Sequence, residues 1–395
     1  MWTGNVAVVA KVTESSAPPS LGVIGAGQLA RMMAESASEL GIELAVLAMS
    51  PEDSACSVAA AVIVGSPDDG ARLMELSGRV DAVTLDHELV DLDVLEWLRA
   101  RGVPVHPSPA AVKFAADKAF QREQFAAAGI AVPRFCVMAQ WSEEAFDQFA
   151  LSIAGVPVIK AARGGYDGRG VALPETLDAA RALAREWVID APIVLEERLE
   201  LLVEIAALIV TSASGERKQW PVVQTVQHDG MCSEVRYPSG LNDDTVAVAQ
   251  KMANDVANVV NAVGVLAVEM FVTPRGLFVN EVATRPHNSG HWTIEGSVTS
   301  QFENHLRAVL DLPLGSTESI TAAAVMVNVV GSQSPGNLAG ALAVLGAHVH
   351  DYGKQWRPQR KLGHVTALGD DLASAHVRAW VAAEALGTSA TKESL

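Results

Sequence analysis

The stretch VLAVEMFVTPRGLFVNEVATR, residues 265–285, predicts a β-hairpin. Apolar and β-branched residues fill both arms, and TPRG supplies the turn between them. Pro274 suits the first turn position, and Gly276 suits a bulge residue with a left-handed backbone. In a three-residue loop of this kind Thr273 pairs with Leu277, and that pairing fixes how the two strands line up.

Counting back from this turn places Glu269 directly opposite Glu281, on the same face of the sheet. Two like charges in directly opposed positions destabilise an empty sheet. A divalent cation between them removes the repulsion, and carboxylates together with nucleotide phosphates are the ligands that Mg²⁺ prefers. Because the neighbouring positions are apolar, we expect a metal site here. The alternative is a pair of solvated glutamates on an exposed face.

A second stretch, VPVIKAARGGYDGRG at 156–170, places Lys160 at the end of a buried strand, before a loop with four glycines. Glycines let backbone N–H groups approach a polyphosphate, and a lysine at the strand end can neutralise phosphate oxygens. We therefore expect the loop to cover the phosphates of a nucleotide, with Tyr166, Asp167 and Arg169 pointing at whatever reacts beneath it. No GK[ST] closes the loop, so it is not a Walker A motif. The alternative is a hairpin loop with a solvated Asp–Arg pair.

The loop that follows the hairpin, TRPHNSGHW at 284–292, is dense in polar side chains. It contains Arg285, His287, Asn288 and His291, and no aliphatic periodicity accounts for it. One histidine alone is more often structural. Two histidines, an arginine and an asparagine beside a metal site indicate a pocket for a small anion.

The glycine turn GAGQLA, residues 25–30, matches the dinucleotide fingerprint G-x-G-x-x-A between an apolar strand and an amphipathic helix. A dinucleotide site also needs an acid at the end of the second strand to hold the ribose, and Met49 stands near that position. We therefore do not expect NAD to bind. A tight strand-to-helix turn, or another anion held at the helix N-terminus, remain as interpretations.

The overall composition excludes several classes of protein. The chain has 395 residues, 29 basic and 46 acidic, and a net charge of −17, which disfavours nucleic acid and anionic membranes as partners. No apolar run is long enough to cross a bilayer, and no signal-peptide pattern opens the sequence. Cys56, Cys136 and Cys232 are widely spaced without a CxxC, which indicates reduced thiols in a cytoplasmic protein and no zinc site.

The order of predicted elements indicates three units. Alternating strands and helices, including a strand VPVH at 103–106, predict a parallel, doubly wound α/β sheet up to about residue 107. Short strands with helices at 175–188 and 243–262 then predict an α+β unit with mostly antiparallel pairing. A small strand-rich unit follows, and PSPAAVKFAADKAFQREQF (107–125) reads as one long helix. The bounds that we expect are 1–20 for an N-terminal extension, 21–110, 111–312 and 313–382 for the three units, and 383–395 for a frayed tail.

Lys160, the glycine-rich loop, the paired glutamates and the arginine after them resemble the nucleotide site of the ATP-grasp superfamily. More specific strings are similar to those of the N5-carboxyaminoimidazole ribonucleotide synthase family of purine biosynthesis. They are GAGQLARM, GGYDGRG, RPQRKLGHV and FVTPRGLFVNEVATRPHNSGHWTIEGSVTSQFENHLRAVLDLPLG. The resemblance covers about residues 21–370.

This resemblance implies a Rossmann-like N-terminal domain, a two-lobed ATP-grasp domain, a small strand-rich C-terminal domain and a homodimer. It implies that 5-aminoimidazole ribonucleotide is carboxylated with ATP and bicarbonate, through carboxyphosphate. The products would be N5-carboxyaminoimidazole ribonucleotide, ADP and phosphate.

The resemblance also implies roles for individual residues. One or two Mg²⁺ ions would be held by Glu269 and Glu281. ATP would be bound by Lys118, Lys160, Gly165, Tyr166, Asp167, Gly168, Arg169, Gly170, Val171, Glu196, Glu197, Arg198, Leu199, Glu204, Gln227, Asn280 and Glu281. The groups around bicarbonate and the aminoimidazole would be Tyr166, Asp167, Arg169, Arg285, His287 and Asn288. The ribonucleotide would be bound by Gln28, Glu88, Lys354, Arg357 and Arg360.

The chain departs from the family pattern in three places. Gln227 stands where the family often has histidine, with His228 next to it. Thr284 and Arg285 follow Ala283 where the family often reads A-P-R. Ala283 also stands where many ATP-grasp enzymes have a metal-binding asparagine, so metal coordination would rest on the two glutamates and on phosphates.

Three other functions compete with this interpretation. Another ATP-grasp ligase, such as a formate-dependent purine transformylase or an enzyme like biotin carboxylase, is disfavoured by RPHNSGHW. An NAD(P)-dependent oxidoreductase is disfavoured by the missing ribose-binding acid. A nucleotide-binding regulator without catalysis is disfavoured because Lys160, Glu269 and Glu281 are all present.

Overall fold

The computed structural model describes residues 18–165, 170–228, 230–393 and 395. Nearly all of the predicted N-terminal extension therefore lies outside the described residues. So do four of the predicted site residues, which are Tyr166, Asp167, Gly168 and Arg169.

The N-terminal unit is a four-stranded parallel sheet with strand order β3-β2-β1-β4. Its strands are β1 (Ser20–Ile24), β2 (Glu43–Ala48), β3 (Ala61–Val64) and β4 (Ala82–Leu85), and its helices are α1 (Gln28–Leu40), α2 (Gly70–Ser77) and α3 (Leu92–Arg99). Leu21 and Val23 of β1 pack with α1, whereas Ile24 packs with α2 and α3 on the other face. The expected parallel α/β unit is confirmed. VPVH forms no strand, since only Val105 bridges to Val83.

The predicted long helix over 107–125 is wrong, because two helices occupy this stretch. They are α4 (Pro109–Ala116) and α5 (Lys118–Ala127). Asp117 between them has an extended backbone, with φ −132° and ψ 100°, and its carboxylate accepts a hydrogen bond from Phe120 N. Aspartate favours this N-cap geometry over the helix interior, so the break starts a new helix at Lys118.

A small lobe follows, built on an antiparallel sheet with order β5-β8-β6-β7. Two helices pack on one face of the sheet through an apolar cluster that includes Phe146, Ile159 and Leu195. The strands are β5 (Phe135–Met138), β6 (Val158–Ala161), β7 (Val171–Ala172) and β8 (Ile193–Glu196), and the helices are α6 (Glu143–Ile153) and α7 (Leu177–Asp190).

The rest of the described chain forms a nine-stranded antiparallel sheet, in the order β14-β13-β9-β11-β12-β15-β17-β16 with β10 paired to β9. Its strands are β9 (Val203–Thr211), β10 (Arg217–Gln219), β11 (Val223–His228), β12 (Met231–Tyr237), β13 (Gly264–Thr273), β14 (Gly276–Ala283), β15 (Ala323–Val330), β16 (Ala347–Asp351) and β17 (Lys361–Gly369). Its helices are α8 (Asp243–Val260), α9 (Thr293–Gly296), α10 (Gln301–Val309), α11 (Leu338–Leu342) and α12 (Leu372–Ala385). β12 pairs with β15, so one sheet crosses the expected boundary at 312/313. The unit bounds stay a prediction.

The predicted frayed tail is wrong for most of its length. Helix α12 continues to Ala385, and beyond it the Ser389 N–H donates to Val330 O at 2.7 Å. Val330 N donates to Thr388 Oγ1 at 3.1 Å, and Arg236 donates to Glu393 O at 3.3 Å. The two bonds to Val330 satisfy backbone groups at the end of β15, and the bond from Arg236 holds the segment further along. A sequence pattern does not reveal such contacts.

In the described part of the chain, none of the helices combines the length and the apolar character that crossing a membrane requires.

Candidate active site

The hairpin β13–β14 carries the centre of the site. Glu269 lies directly opposite Glu281, so that prediction is confirmed. The predicted turn pairing is wrong, because Thr273 pairs with Gly276 and not with Leu277. The turn is therefore one residue shorter than expected, and the register shifts further along, between Glu269 and Met270.

That shift is a β-bulge with one extra residue on β14. Val279 and Val282 are three positions apart, yet both are buried in the apolar cluster with Met270. In a regular strand residues three apart point to opposite faces, so the extra residue is what allows both valines to reach the core. Asn280 and Glu281 between them consequently both point into the site.

Two lysines from two different elements converge on these side chains. Lys118, the first residue of α5, places Nζ 2.7 Å from Glu281 Oε2. Lys160, on β6, places Nζ 3.1 Å from Asn280 Oδ1 and 2.7 Å from Glu196 Oε2. The arrangement sets two cations beside the carboxylates, where the phosphates of a nucleotide would need them.

Glu204 of β9 brings a third carboxylate to the pair. It is aligned with Phe271 in the neighbouring strand. Burial, followed by the nearby Glu281, raises the pKa of Glu204 to about 7. The same causes raise the pKa of Glu269, whereas Lys118 holds the pKa of Glu281 well below its usual range. A cation bound beside them would favour the ionised forms of Glu204 and Glu269.

The carboxylates fit a divalent ion that brings other ligands with it. Among the described residues no group of three or more His, Cys, Asp or Glu side chains could hold a metal ion by itself. Glu269 and Glu281 supply oxygens from opposed positions, and further oxygens would have to come from phosphates or water. This donor set suits Mg²⁺ with a nucleotide better than an all-protein metal site.

Glu196 and Glu197 are next to each other, but their side chains are already engaged. Both oxygens of Glu196 bind protein cations, Arg122 Nε at 2.7 Å and Lys160. Glu197 pairs with Arg134 and Arg275, each at 3.0 Å, and their hydrogen bonds lower its pKa to about 2. A nucleotide base bound at this segment would therefore contact main-chain groups. The following Arg198 is exposed and Leu199 is half-buried.

The loop after the hairpin lies against the carboxylate pair. His287 Nε2 is 3.6 Å from Glu269 Oε1, and burial followed by the Arg285 charge lowers the pKa of His287 to about 4. The imidazole is thus neutral near pH 7. Gln301 fixes this loop, because its amide accepts from His287 N at 2.8 Å and donates to His287 O at 2.7 Å. Asn288 has a buried amide nitrogen with no partner among the described residues.

His291 does not belong to the pocket that the sequence indicated. Its ring is buried, and Nδ1 is 2.9 Å from Gln301 Nε2. It also packs against His364, with 4.8 Å between the ring centres. Its role is therefore in the packing behind the site.

The predicted substrate residues meet where the N-terminal unit faces the others. Arg285 Nε donates to Glu88 Oε2 at 2.7 Å, and Lys354 Nζ donates to Gln28 Oε1 at 2.6 Å. The two remaining residues are not brought together with these pairs by any contact among the described residues. Arg357 is exposed, and Arg360 donates to Gln355 O at 3.1 Å.

The glycine turn before α1 is filled by a carboxylate of the protein itself. Asp86 accepts from Gly27 N at 2.5 Å and from Ala30 N at 2.9 Å. A Cβ on Gly27 would clash with this carboxylate. Two amides at this helix N-terminus are therefore already bound to Asp86, which favours the interpretation as a tight strand-to-helix turn. The interpretation as an anion site stays a prediction.

Two cations in and behind the site, Lys361 and Arg122, were not among the predicted site residues. The charge of Lys361, at the start of β17, acts to lower the pKa of both Glu269 and His287. Lys361 is the last residue of KQWRPQRK (354–361), a basic cluster that the sequence shows. Arg122 gave no signal, because nothing in the pattern of α5 distinguishes a buried arginine from a solvated one.

Two neighbours in β11, Gln227 and His228, are the candidates for the adenine-side position. Gln227 is half-buried at a register shift opposite Cys232. His228 Nε2 is 2.9 Å from Thr391 Oγ1, in the C-terminal segment. The contact with Thr391 favours Gln227 for the ligand side.

Three family models match successive parts of the chain. They are a ribonucleotide synthetase preATP-grasp domain over residues 19–116, an ATP-grasp domain over 123–302 and a phosphoribosylaminoimidazole carboxylase C-terminal domain over 324–378. The N5-carboxyaminoimidazole ribonucleotide synthase of Mycobacterium bovis is 46% identical over 375 residues, 92% of this chain and 87% of that protein.

Solved structures agree with this similarity. The N5-carboxyaminoimidazole ribonucleotide synthetase of Thermus thermophilus is 33% identical with a TM-score of 0.85, covering 94% of this chain and 100% of that one. The N5-carboxyaminoimidazole synthase of Aspergillus clavatus, in complex with ADP and 5-aminoimidazole ribonucleotide, is 29% identical with a TM-score of 0.85. That match covers 94% of this chain and 99% of that one.

Proposed function

The chain belongs to the N5-carboxyaminoimidazole ribonucleotide synthase family, and from this premise we propose how its residues carry out the reaction. It is an ATP-dependent ligase that carboxylates 5-aminoimidazole ribonucleotide to N5-carboxyaminoimidazole ribonucleotide in purine biosynthesis. The resemblance of its motifs and the expected architecture are confirmed. The observation that carries the function is that His287, 3.6 Å from Glu269, lies two residues from Arg285, which pairs with Glu88. A nucleotide site and a second-substrate site are therefore contiguous.

ATP binds between the small lobe and the large sheet in this proposal. Lys118 and Lys160 approach its phosphates, and Asn280 and Glu204 line the same face of the sheet. Residues 196–199 and Gln227 form the base side. Gly165, Gly170 and Val171 border the loop that would cover the phosphates.

Bicarbonate is the carboxyl donor. It is a weak nucleophile, so its oxygen must be held in line with the γ-phosphorus while ADP leaves. Arg285 supplies the positive charge for this, and the neutral His287 supplies a hydrogen bond without repelling the arginine. The phosphoryl group moves to bicarbonate, giving carboxyphosphate and ADP.

Carboxyphosphate then splits into CO₂ and phosphate within the site, out of contact with bulk water. The exocyclic amine of the ribonucleotide attacks CO₂, forming the new C–N bond, and loses one proton. Asp167 is the candidate group for that proton, and Arg169 would help to hold the bicarbonate. Both residues, and Tyr166 between the glycines of the same loop, lie outside the described residues. Glu88 and Asn288 border the same pocket.

The donor set supports one or two Mg²⁺ ions held by Glu269 and Glu281. When bound, the metal neutralises charge on the β- and γ-phosphates. We also propose that the protein is a homodimer in the cytoplasm. Its three cysteines are free thiols, which supports a reducing compartment. Sedimentation of the purified protein tests the dimer.

The function is tested by phosphate release from ATP and bicarbonate, with and without 5-aminoimidazole ribonucleotide. We expect the N5-carboxy product to form in step with ADP, and only when all three substrates are present. An assay with formate in place of bicarbonate distinguishes this function from the second candidate, a formate-dependent ligase. A formylated product would reject the proposal.

The metal proposal is tested by Glu281→Gln, which removes one charge and keeps the side chain's size. We expect turnover to be lost at ordinary Mg²⁺ and the melting temperature to stay near that of the parent. Glu186→Gln, at an exposed position on α7, is the matched control and should be fully active. Unchanged turnover of Glu281→Gln would reject the metal assignment.

The C-terminal basic cluster is tested by Arg360→Ala. A charge-assisted contact of this kind is worth roughly 1.5–3 kcal/mol, so the KM for the ribonucleotide should rise about tenfold or more. The KM for ATP should stay near the parent value. Arg378→Ala is the control, since Arg378 also donates to a backbone carbonyl in the C-terminal unit. A change in the KM for ATP instead would contradict the proposal that Arg360 binds the ribonucleotide.

A further inference from the structure

Three charged side chains are buried together behind the nucleotide site. The exposed fractions are 1% for Arg122, 2% for Glu196 and 8% for Lys160. Arg122 Nε and Lys160 Nζ each lie 2.7 Å from a different oxygen of Glu196. Burying ions is costly, and well-packed apolar residues often stabilise a fold as well or better, so the triad calls for a role besides stability.

The elements around the triad fix its geometry. Lys160 pairs with Val194 and Glu196 pairs with Val158 on adjacent antiparallel strands, so the two charged side chains are diagonal neighbours on one face. Arg122 reaches Glu196 from α5. Its Nη1 donates to Gln121 Oε1 at 2.6 Å, which holds the guanidinium in this direction.

The charges of the triad do not cancel. Burial opposes ionisation of Glu196, but Arg122 and Lys160 outweigh it and lower the pKa of that carboxyl to about 2. Two cations and one anion leave one positive charge, and Lys160 is the member that reaches the site, 3.1 Å from Asn280 Oδ1. Without Arg122, Glu196 and Lys160 would form a neutral pair.

We propose that Arg122 is a positioning residue for nucleotide binding. By engaging one oxygen of Glu196, it keeps that carboxylate from neutralising Lys160 alone, so the triad as a whole presents a positive charge to the phosphates of ATP. Lys160 also stays aligned toward β14, because Glu196 offers it only the other oxygen. The inference rests on the proposed function only in that the ligand is ATP.

The test compares Arg122→Met, Arg122→Lys and the double variant Arg122→Met/Glu196→Gln by calorimetric titration with ATP, ADP and adenosine. Arg122→Met should weaken ATP and ADP binding about tenfold, because losing the positive charge costs about as much as losing one charge-assisted contact with a phosphate. Adenosine has no phosphate, so its binding should stay nearly unchanged. Arg122→Lys keeps the charge and should bind ATP within about threefold of the parent.

The double variant decides between charge balance and packing. It removes Arg122 and the negative charge together, so Lys160 again carries the only net charge, and ATP binding should recover most of the loss. It also replaces two buried ions by neutral groups, so it should fold even if Arg122→Met does not. A merely structural role for Arg122 predicts a further loss instead.

Two outcomes would overturn the proposal. One is an equal loss of adenosine and ATP binding in Arg122→Met, and the other is a double variant no better than the single one. Because the readout is nucleotide binding, failure of the parent to carboxylate the ribonucleotide would count against the proposed function and leave this test intact.

Discussion

At the scale of single residues, Asp86 explains the glycine motif at 25–30, which the residues next to the motif do not explain. GAGQLA has the form of a dinucleotide turn, yet the N-terminus of α1 receives the Asp86 carboxylate at Gly27 N and Ala30 N. The negative charge of Asp86 also suits the positive end of the helix dipole. The glycines therefore serve a contact within the protein. A Cβ at Gly25 or at Gly27 would clash with the Asp86 side chain, so both glycines permit this close approach.

Asp86→Ala should destabilise the N-terminal unit without touching the ligand groups. Losing a cap costs about 1–2 kcal/mol, and leaving the buried Ala30 amide and the half-buried Gly27 amide unpaired puts this case at the upper end. Urea denaturation followed by circular dichroism measures the free energy of unfolding. Asp86→Asn keeps one acceptor oxygen and should cost less. An unchanged midpoint for Asp86→Ala would contradict the cap.

At the scale of elements, the bulge in β14 decides which side chains reach the site. A hairpin without it would send Glu281 or Val282 to the wrong face, since a slip of one residue reverses every side chain. The extra residue Asn280 keeps Val279 and Val282 in the core and adds an amide beside Lys160. The prediction that the two glutamates face each other was right for a partly wrong reason. It assumed a three-residue turn, whereas the extra residue lies in the bulge.

Deletion of Asn280 should unfold or strongly destabilise the protein. Without the bulge a charged glutamate or a polar partner must enter the apolar cluster, at a cost of about 3 kcal/mol or more. Asn280→Ala is the matched control. It keeps the bulge, so its melting temperature should stay within about 3 °C of the parent while ATP binding weakens. Equal melting temperatures for the deletion and the parent would refute this account of the bulge.

At the scale of the whole molecule, the three units are joined by more than loops. β12 pairs with β15, which makes the C-terminal strands part of the ATP-grasp sheet. His305 of α10 connects two units, since its Nε2 lies 2.9 Å from Thr84 Oγ1 and its Nδ1 accepts from Val265 N at 3.1 Å. The pairs Arg285–Glu88 and Lys354–Gln28 also connect the N-terminal unit to the others, so holding the units together also holds these side chains in place.

His305 should make the protein less stable in acid. Burial, with a smaller effect of His106, lowers its pKa to about 3 in the folded state, against an ordinary value of 6.5. Below pH 6.5 the unfolded chain takes up a proton that the folded protein does not, so stability falls as the pH drops toward 3. Between pH 6.5 and pH 5 the free energy of unfolding should fall by about 1–2 kcal/mol because of His305.

His305→Asn keeps a hydrogen-bond acceptor near the Nδ1 position and cannot be protonated in this range. Its free energy of unfolding should therefore fall less steeply than that of the parent between pH 6.5 and pH 5. Parallel urea titrations at the two pH values measure the difference. Equal slopes for the two proteins would assign the acid sensitivity to other histidines.

The sequence by itself determined the parts of this protein that depend on local pattern. Strand periodicity, glycine spacing and turn residues gave the parallel N-terminal sheet, the antiparallel units and the opposed pair Glu269 and Glu281. The motif RPHNSGHW indicated the loop that carries Arg285 and His287. Each of these features is written within about twenty consecutive residues, so neighbouring side chains suffice to predict it.

Only the tertiary structure decided which charges meet. Asp86 reaches α1 across 59 positions of sequence, Arg122 reaches Glu196 across 74, and Lys118 reaches Glu281 across 163. Burial and the low dielectric of the interior then set their charge states, and neither follows from residue type. The docked tail beyond Ala385 has the same origin, because bonds to Val330 hold a segment whose local pattern indicates no structure. The broken helix at Asp117 is different, because a local N-cap contact with Phe120 N ends one helix and starts the next.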